Sequence, residues 1–250
     1  MLWRVLLLNV LLMFVNYIDR TNLSFAAVQL NKDIGLDHQT YGLGAGLFFC
    51  AYASMQVPAN MIMAKIGGPI WLGTIGMLWG ITAACFASLR SVPQFLALRF
   101  LLGVFEAGAL PGMWSYLSHF YSRQRITIPL GYLMGSLIVS QALGAPIAAG
   151  LLSLDGKGGL RGWQWLFLVE GVLACIVAAA WFFMPRDVDA IKGLTVVEKA
   201  ALHASMAHQC KPASNPVKAL LGALRNPAVW IDGGGIEFFR GVAFYGLMYW

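Results

Sequence analysis

The chain has 250 residues, of which 59% are hydrophobic and 11% are charged, and its mean hydropathy is +0.69. A soluble domain carries about 25% charged residues, so this composition excludes an ordinary soluble protein and predicts one with several membrane spans. The formal net charge of +6 would indicate nucleic-acid binding only if the basic residues formed a patch on the protein surface. Basic loops on one side of a bilayer explain the charge better, so we expect a lipid bilayer, and no nucleic acid, as partner.

Segments long enough to cross a membrane, about 20 mostly apolar residues each, follow one another along the chain. We predict seven such spans: residues 3–28, 40–64, 70–89, 92–120, 127–152, 163–184 and one that begins near 227. The first begins like a signal peptide, with Arg4 before an apolar run. No clear small-residue cleavage site follows, so we interpret it as a retained span.

These spans predict an all-α polytopic membrane protein in three parts. Residues 1–184 would form a six-helix bundle, residues 185–226 a cytoplasmic central loop, and residues 227–250 the start of a seventh helix. Thr195 and Glu198 match a capping box, which predicts a surface helix within the loop. With the N-terminus in the cytoplasm, ten basic residues fall inside and four outside, and cytoplasmic loops carry such an excess.

Polar residues interrupt the apolar pattern of the first span. Asn16, Arg20 and Ser24 lie at i, i+4 and i+8 on one helix face, and Asp19 lies on the neighbouring face. An ionised side chain deep in a membrane costs roughly 2.5–3.5 kcal/mol on insertion scales, and such residues are usually functional. The planar guanidinium of Arg20 suits a carboxylate, whereas a desolvated Asp19 could take up a proton near neutral pH.

The second and fourth spans carry further candidates. Arg99, Gly103 and Glu106 share one face of the fourth span at i, i+4 and i+7. Glu106 lies roughly 20 Å along that helix, near or beyond the middle of the membrane, and could also take up a proton. In the second span, Tyr52 shares a face with Gln56.

These charges have a structural interpretation as well as a functional one. Asp19 could simply pair with Arg20, and Arg99 with Glu106, within their own spans. Arg99 begins closer to the outer interface and could brace the bundle. Glu170, about two turns into the sixth span, could anchor its helix or line an entrance.

The chain shows no catalytic constellation. It contains no GxSxG element and no P-loop, and its histidines have no cysteine or carboxylate partners at metal-ligand spacing. The sequence therefore predicts no cofactor, no metal site and no enzymatic activity.

Five segments resemble the anion:cation symporter family of the major facilitator superfamily. They are NYIDRTNLSFAA (16–27), YGLGAGLFFCAYASMQVPAN (41–60), RFLLGVFEAGALPG (99–112), GWQWLFLVEG (162–171) and MPRDVDAIKGLTVVEK (184–199). The resemblance implies two six-helix halves around a cavity that opens to each side in turn. It also implies transport of organic anions, such as sugar acids, tartrate, phthalate and hydroxyphenylacetate, typically with protons.

The resemblance assigns roles to the residues already singled out. Arg20 would bind the substrate carboxylate, Tyr52 would line the cavity, and Asn16 would contribute from the Arg20 face. Asp19 and Glu106 would be the protonation sites that couple proton entry to the conformational cycle.

Four further residues are predicted to serve structure or gating. Arg99 and Gly103 match the RxxxG element of the fourth span, and Pro111 would bend that helix. Lys65 keeps one charge of the family's GxxxDRxGRR loop, but Ala64 stands at its acidic position. A second departure is Gln56, which replaces the carboxylate of the family's EVPSN element.

The predicted function is uptake of an organic carboxylate with protons by alternating access, across a bacterial inner (plasma) membrane. Sodium coupling and anion exchange remain open. Related proteins continue for five more spans, so we expect residues 1–250 to be a fragment whose partner is the missing C-terminal half. A non-transporting sensor or assembly subunit built on a transporter half is the alternative.

Overall fold

The computed structural model describes residues 2–122, 124–191, 193 and 195–206, together with the single positions 222, 225 and 227. The chain divides into two compact units, Met1–His208 and Gln209–Trp250. The second unit, and with it the helix predicted to begin near residue 227, lies almost wholly outside the described residues. The division at residues 184 and 226 therefore remains a prediction.

The first unit is helical, which confirms the predicted class. Its helices are α1 (Leu2–Ile34), α2 (His38–Ile66), α3 (Gly68–Cys85), α4 (Val92–Glu106), α5 (Ala109–Ser118), α6 (Thr127–Leu152), α7 (Gly162–Trp181) and α8 (Val196–Met206). The predicted fourth span corresponds to α4 and α5 together, because the helix is interrupted at Ala107 and Gly108.

Five described segments are long and apolar enough to cross a membrane: His38–Ile66, Gly68–Ser88, Val92–Ser118, Thr127–Leu152 and Gly162–Trp181. Helix α1 is longer, at 33 residues, but is not among these five. Polar side chains at Asn16, Asp19 and Arg20 interrupt its apolar pattern.

Small residues bring α3 and α7 into close contact. A Cβ atom added at Gly171 would lie 2.5 Å from the backbone nitrogen of Ala84 and 2.6 Å from the carbonyl oxygen of Gly80. Membrane helices use small residues in this way, because lipid provides no hydrophobic force that would drive them together. Helix α7 also packs against α1 and α6, and α2 packs against α4, so polar residues on α1 face several neighbours.

The loop after α7 carries the predicted surface helix. The Thr195 backbone N–H and hydroxyl donate to Glu198 Oε2 at 2.7 and 2.8 Å, and the Glu198 N–H donates to Thr195 Oγ1 at 3.3 Å. The capping box predicted from the sequence is therefore formed, and α8 begins immediately after it at Val196.

Candidate functional site

An ion pair joins the first and fourth spans inside the bundle. Arg20 Nε donates to Glu106 Oε2 at 2.9 Å, and the side chains are 12% and 0% exposed. The pair connects two helices, unlike the within-span pairs considered from the sequence. Breaking a buried pair by removing one partner typically costs 3–5 kcal/mol, so the two side chains hold each other in place.

Aromatic rings surround the guanidinium of Arg20. Its Cζ lies 4.7 Å from the ring centroid of Tyr52, 5.4 Å from that of Tyr17 and 5.9 Å from that of Phe48. A cation within about 6 Å of a ring is attracted by the negative face of the π-system. The rings therefore orient Arg20. Of the residues predicted to bind substrate, Tyr52 contacts Arg20 directly, whereas its role in lining the cavity stays a prediction.

Asp19 lies beside the ion pair. Its side chain is 5% exposed, its Oδ2 accepts a hydrogen bond from Trp79 Nε1 at 3.1 Å, and it also interacts with Glu106. The sequence analysis missed Trp79. A tryptophan in the middle of a span, away from both interfaces, was the available signal, because a buried indole N–H usually has a partner.

Arg99 occupies a second aromatic environment. Its Cζ lies 5.6 Å from the ring of Phe86, 5.8 Å from that of Phe48 and 5.9 Å from that of Phe95. Phe48 therefore contacts both arginines, a role that its position in an apolar stretch did not reveal. One turn from Arg99, Gly103 packs directly against the Phe48 carbonyl oxygen, which fixes α4 against α2.

The remaining predicted residues differ in burial and in their position along the helices. Asn16 is only 1% exposed, and its Nδ2 has no hydrogen-bond partner in the described part of the chain. Lys65 is exposed at the end of α2, 13 residues from Tyr52 and thus roughly 20 Å away along the helix. Pro111 is half-buried in α5.

This arrangement has the chemistry of an exchangeable anion site. Glu106 occupies the guanidinium with one oxygen, and its Oε1 has no hydrogen-bond partner among the described residues. Protonation of Glu106 would remove its charge and weaken the pair, which would make the guanidinium available to another carboxylate. The residues that the structure describes include no group of three histidine, cysteine or acidic side chains that could hold a metal ion.

Comparison with known proteins places this geometry in context. A sequence model described as the Major Facilitator Superfamily matches residues 10–250. An Agrobacterium vitis protein named "Putative tartrate transporter" is 40% identical over 177 residues, which cover 71% of this chain and 41% of that protein. A Pseudomonas putida protein named "Putative metabolite transport protein NicT" is 34% identical over 250 residues, which cover 99% of this chain and 57% of that protein.

A solved structure shows the same architecture. It is that of a bacterial homologue of the human lysosomal transporter Spinster, in an inward-facing and occupied conformation. The match covers 78% of this chain and 46% of that structure's chain, with a TM-score of 0.70 and 20% sequence identity. At this identity the similarity shows the fold alone. The chain thus spans about half the length of the curated relatives that it matches, 41% and 57% of the two described above.

Proposed function

The chain belongs to the major facilitator superfamily, and from that premise we propose that it forms the N-terminal half of a proton-coupled symporter for organic carboxylates. Its relatives and structural neighbours are membrane transporters, not enzymes. The relative named for tartrate transport supports an organic anion as the substrate class. The C-terminal half, which would complete the cavity, is the proposed partner.

The observation that carries the proposal is the buried pair between Arg20 and Glu106 at 2.9 Å. A substrate carboxylate and the Glu106 carboxylate would compete for one guanidinium. While Glu106 is ionised, it occupies Arg20 and excludes the substrate. Once a proton neutralises Glu106, Arg20 needs a new anionic partner, because an unpaired buried charge is costly. Proton uptake and anion binding are thereby linked.

The transport cycle follows from this competition. A proton enters from outside and neutralises Glu106, with Asp19 as the adjoining protonation site. The substrate carboxylate then docks on Arg20 between the rings of Tyr52 and Tyr17, and the halves close around it. On the inner side the proton leaves, Glu106 reclaims Arg20, and the anion is released. An N-terminus in the cytoplasm and a bacterial inner membrane are part of this proposal.

The test uses the complete polypeptide that carries residues 1–250, reconstituted in proteoliposomes with labelled tartrate and a panel of other organic carboxylates. An acidic exterior should drive accumulation without sodium. Glu106→Gln should abolish gradient-driven accumulation but retain exchange of substrate across the membrane, because its neutral amide leaves Arg20 available. Arg20→Lys should weaken substrate binding about tenfold or more, since lysine lacks the planar fork.

Lys157→Gln is the control for loss of a positive charge, because Lys157 is exposed in the loop before α7. Substrate uptake by this variant should equal that of wild type. Accumulation by Glu106→Gln that still follows the pH gradient would refute the proton role. Accumulation that requires sodium would replace the proton as coupling ion. Substrate binding without flux by the complete protein would favour the sensor alternative.

A further inference from the structure

Glu170 is a buried carboxyl to which the proposed cycle gives no task. It lies on α7, is 4% exposed, and neither of its oxygens has a hydrogen-bond partner in the described part of the chain. Buried polar groups nearly always have partners. An ionised carboxylate left without one would cost several kcal/mol in a span. The side chain therefore requires a proton to be accommodated in this conformation.

The surroundings of Glu170 keep it inside the bundle. Its neighbour Gly171 allows no gap between α7 and α3, since a Cβ there would lie 2.5 Å from the Ala84 nitrogen. Helix α3 also supplies Trp79, which donates to Asp19 on α1. Helix α7, which carries Glu170, packs against α1, which carries Asp19, and negative charges on these two carboxyls would repel each other across that contact.

Few other charges face α7 from the helices packed against it. Neither α3 nor α6 carries an acidic or basic side chain, and their titratable residues are Cys85 and Tyr132. Helix α7 itself adds Cys175. Helix α1 carries the remaining groups: Tyr17, Asp19 and Arg20 near its middle, and Arg4, Lys32 and Asp33 towards its ends. Because Arg20 is paired with Glu106, the remaining charged group near the middle of α1 is Asp19. Asp19 is therefore the carboxyl to which Glu170 is coupled.

We propose that Glu170 is a third proton-binding carboxyl of the transporter, which titrates jointly with Asp19 as the bundle changes conformation. Two interacting carboxyls release their protons in steps that belong to the pair. While the bundle is closed as described here, Glu170 retains a proton and Asp19 accepts from Trp79. Movement of α1 relative to α7 would alter the repulsion and allow the proton to pass to Asp19. The inference rests on the proposed proton coupling.

The first test does not depend on transport. Infrared difference spectra of the complete purified protein, recorded between acidic and alkaline pH, report protonated carboxyl groups directly. Glu170→Gln should remove one carboxyl band of the wild-type spectrum, and Glu198→Gln, which changes an exposed carboxyl, should leave that band in place. A carboxyl region unchanged by Glu170→Gln would overturn the proposal.

The second test measures the pH profile of uptake in proteoliposomes. Once the proton has passed from Glu170 to Asp19, the Glu170 carboxylate favours the protonated form of Asp19. Glu170→Gln removes the charge that Glu170 carries in that state, so it should move the midpoint of uptake to lower pH by about one unit or more. Glu170→Gln is nearly isosteric, and its unfolding midpoint should equal that of wild type because it replaces a neutral group. A clear loss of stability would indicate an ionised Glu170 and overturn the proposal.

The two proposals fail in different ways. If wild-type protein does not accumulate substrate along a proton gradient, proton coupling fails, whereas the infrared band still reports on Glu170. If wild-type uptake is proton-driven and Glu170→Gln changes neither the spectrum nor the pH profile, only the role of Glu170 fails. Loss of a sodium stimulation in Glu170→Gln would identify a cation ligand and overturn proton binding.

Discussion

Trp79 and Trp181 are both buried indoles, at 1% and 0% exposure, but their ring nitrogens differ. Trp79 Nε1 donates to Asp19, whereas Trp181 Nε1 has no hydrogen-bond partner among the described residues. Trp181 instead packs edge-on against Tyr116, with ring centroids 5.0 Å apart. Comparing Trp79 with Trp181 therefore separates the contribution of the Asp19 hydrogen bond to stability from the packing that any buried tryptophan provides.

We expect Trp79→Phe to lower the unfolding midpoint more than Trp181→Phe does. Both substitutions leave a similar cavity, but Trp79→Phe also leaves the Asp19 carboxyl without its donor. An unsatisfied buried group costs about 1–3 kcal/mol. The midpoints would be measured on detergent-solubilised complete protein, by the amount that remains monodisperse after heating. Equal midpoints would show that the Trp79–Asp19 hydrogen bond contributes nothing.

For individual side chains, the sequence shows where charge is buried but not which groups form pairs. Asp19, Arg20 and Glu106 stand out because each interrupts an apolar run. The pairing of Arg20 with Glu106 depends on how α1 and α4 pack, and helix periodicity alone left within-span pairs equally open. Glu170 was visible as a charge, but its proximity to Asp19 depends on the contact of α7 with α1.

The close contact of α3 and α7 gives a prediction at the scale of the helix. Gly171→Ala should lower stability by about 1–3 kcal/mol, because its Cβ would collide with backbone atoms that have no way to move aside. Gly150→Ala is the matched control, since a Cβ there meets nothing within 4 Å. Alanine favours a helix by about 1 kcal/mol over glycine, so the control should be neutral or slightly stabilising. Similar unfolding midpoints for the two variants would contradict the packing.

The first six predicted spans agree with the described helices to within a few residues, apart from two features. The first span, predicted over 3–28, continues as α1 to Ile34, and the fourth is interrupted at Ala107 and Gly108. Span prediction follows apolar length, which ends where charged residues begin, at Lys32 and Asp33. A helix continues past the charged residues as long as its backbone hydrogen bonds continue. Hydropathy contains no information about those hydrogen bonds.

Helix α8 lies outside the predicted spans and should respond to pH. Hydrogen bonds from the Thr195 backbone and side chain lower the pKa of Glu198 below its usual value. The carboxylate therefore stabilises α8 fully above the ordinary range of glutamate, and this stabilisation is lost as pH falls through the lowered pKa. Amide exchange across residues 196–206 should be slower in wild type than in Glu198→Ala at neutral pH, and the difference should shrink on acidification.

Glu198→Gln is the control for that measurement, because its amide oxygen still accepts from Thr195 but does not titrate. Its protection of α8 should stay constant relative to the intrinsic exchange rate across the same pH range. If the difference between wild type and Glu198→Ala stays constant as the pH falls, the capping carboxylate does not stabilise the helix.

Across the first compact unit as a whole, polar contacts between distant parts of the chain gather at two ends. At one end, Trp163 Nε1 donates to Asp33 Oδ2 at 2.8 Å, which ties the end of α1 to the start of α7. At the other end, Tyr116 OH donates to the Pro185 carbonyl at 2.8 Å, and Arg186 lies over Gly67. The loops at each end are separated from one another along the chain by an even number of spans. A chain that crosses a bilayer back and forth requires this spacing.

This alternation predicts which loops face the cytoplasm. Gln124 and Ser153 are exposed on either side of α6, and neither is basic, so substitution leaves the charge bias intact.

The experiment replaces the native cysteines with serine: Cys50, Cys85, Cys175 and Cys210. In that background, we expect Ser153→Cys to react with a membrane-impermeant maleimide in intact cells, and Gln124→Cys to react only after permeabilisation. This expectation follows from the excess of basic residues, which predicts that the Gln124 side faces the cytoplasm. Reversed labelling would overturn the orientation, and labelling of both positions from outside would show that α6 does not span the membrane.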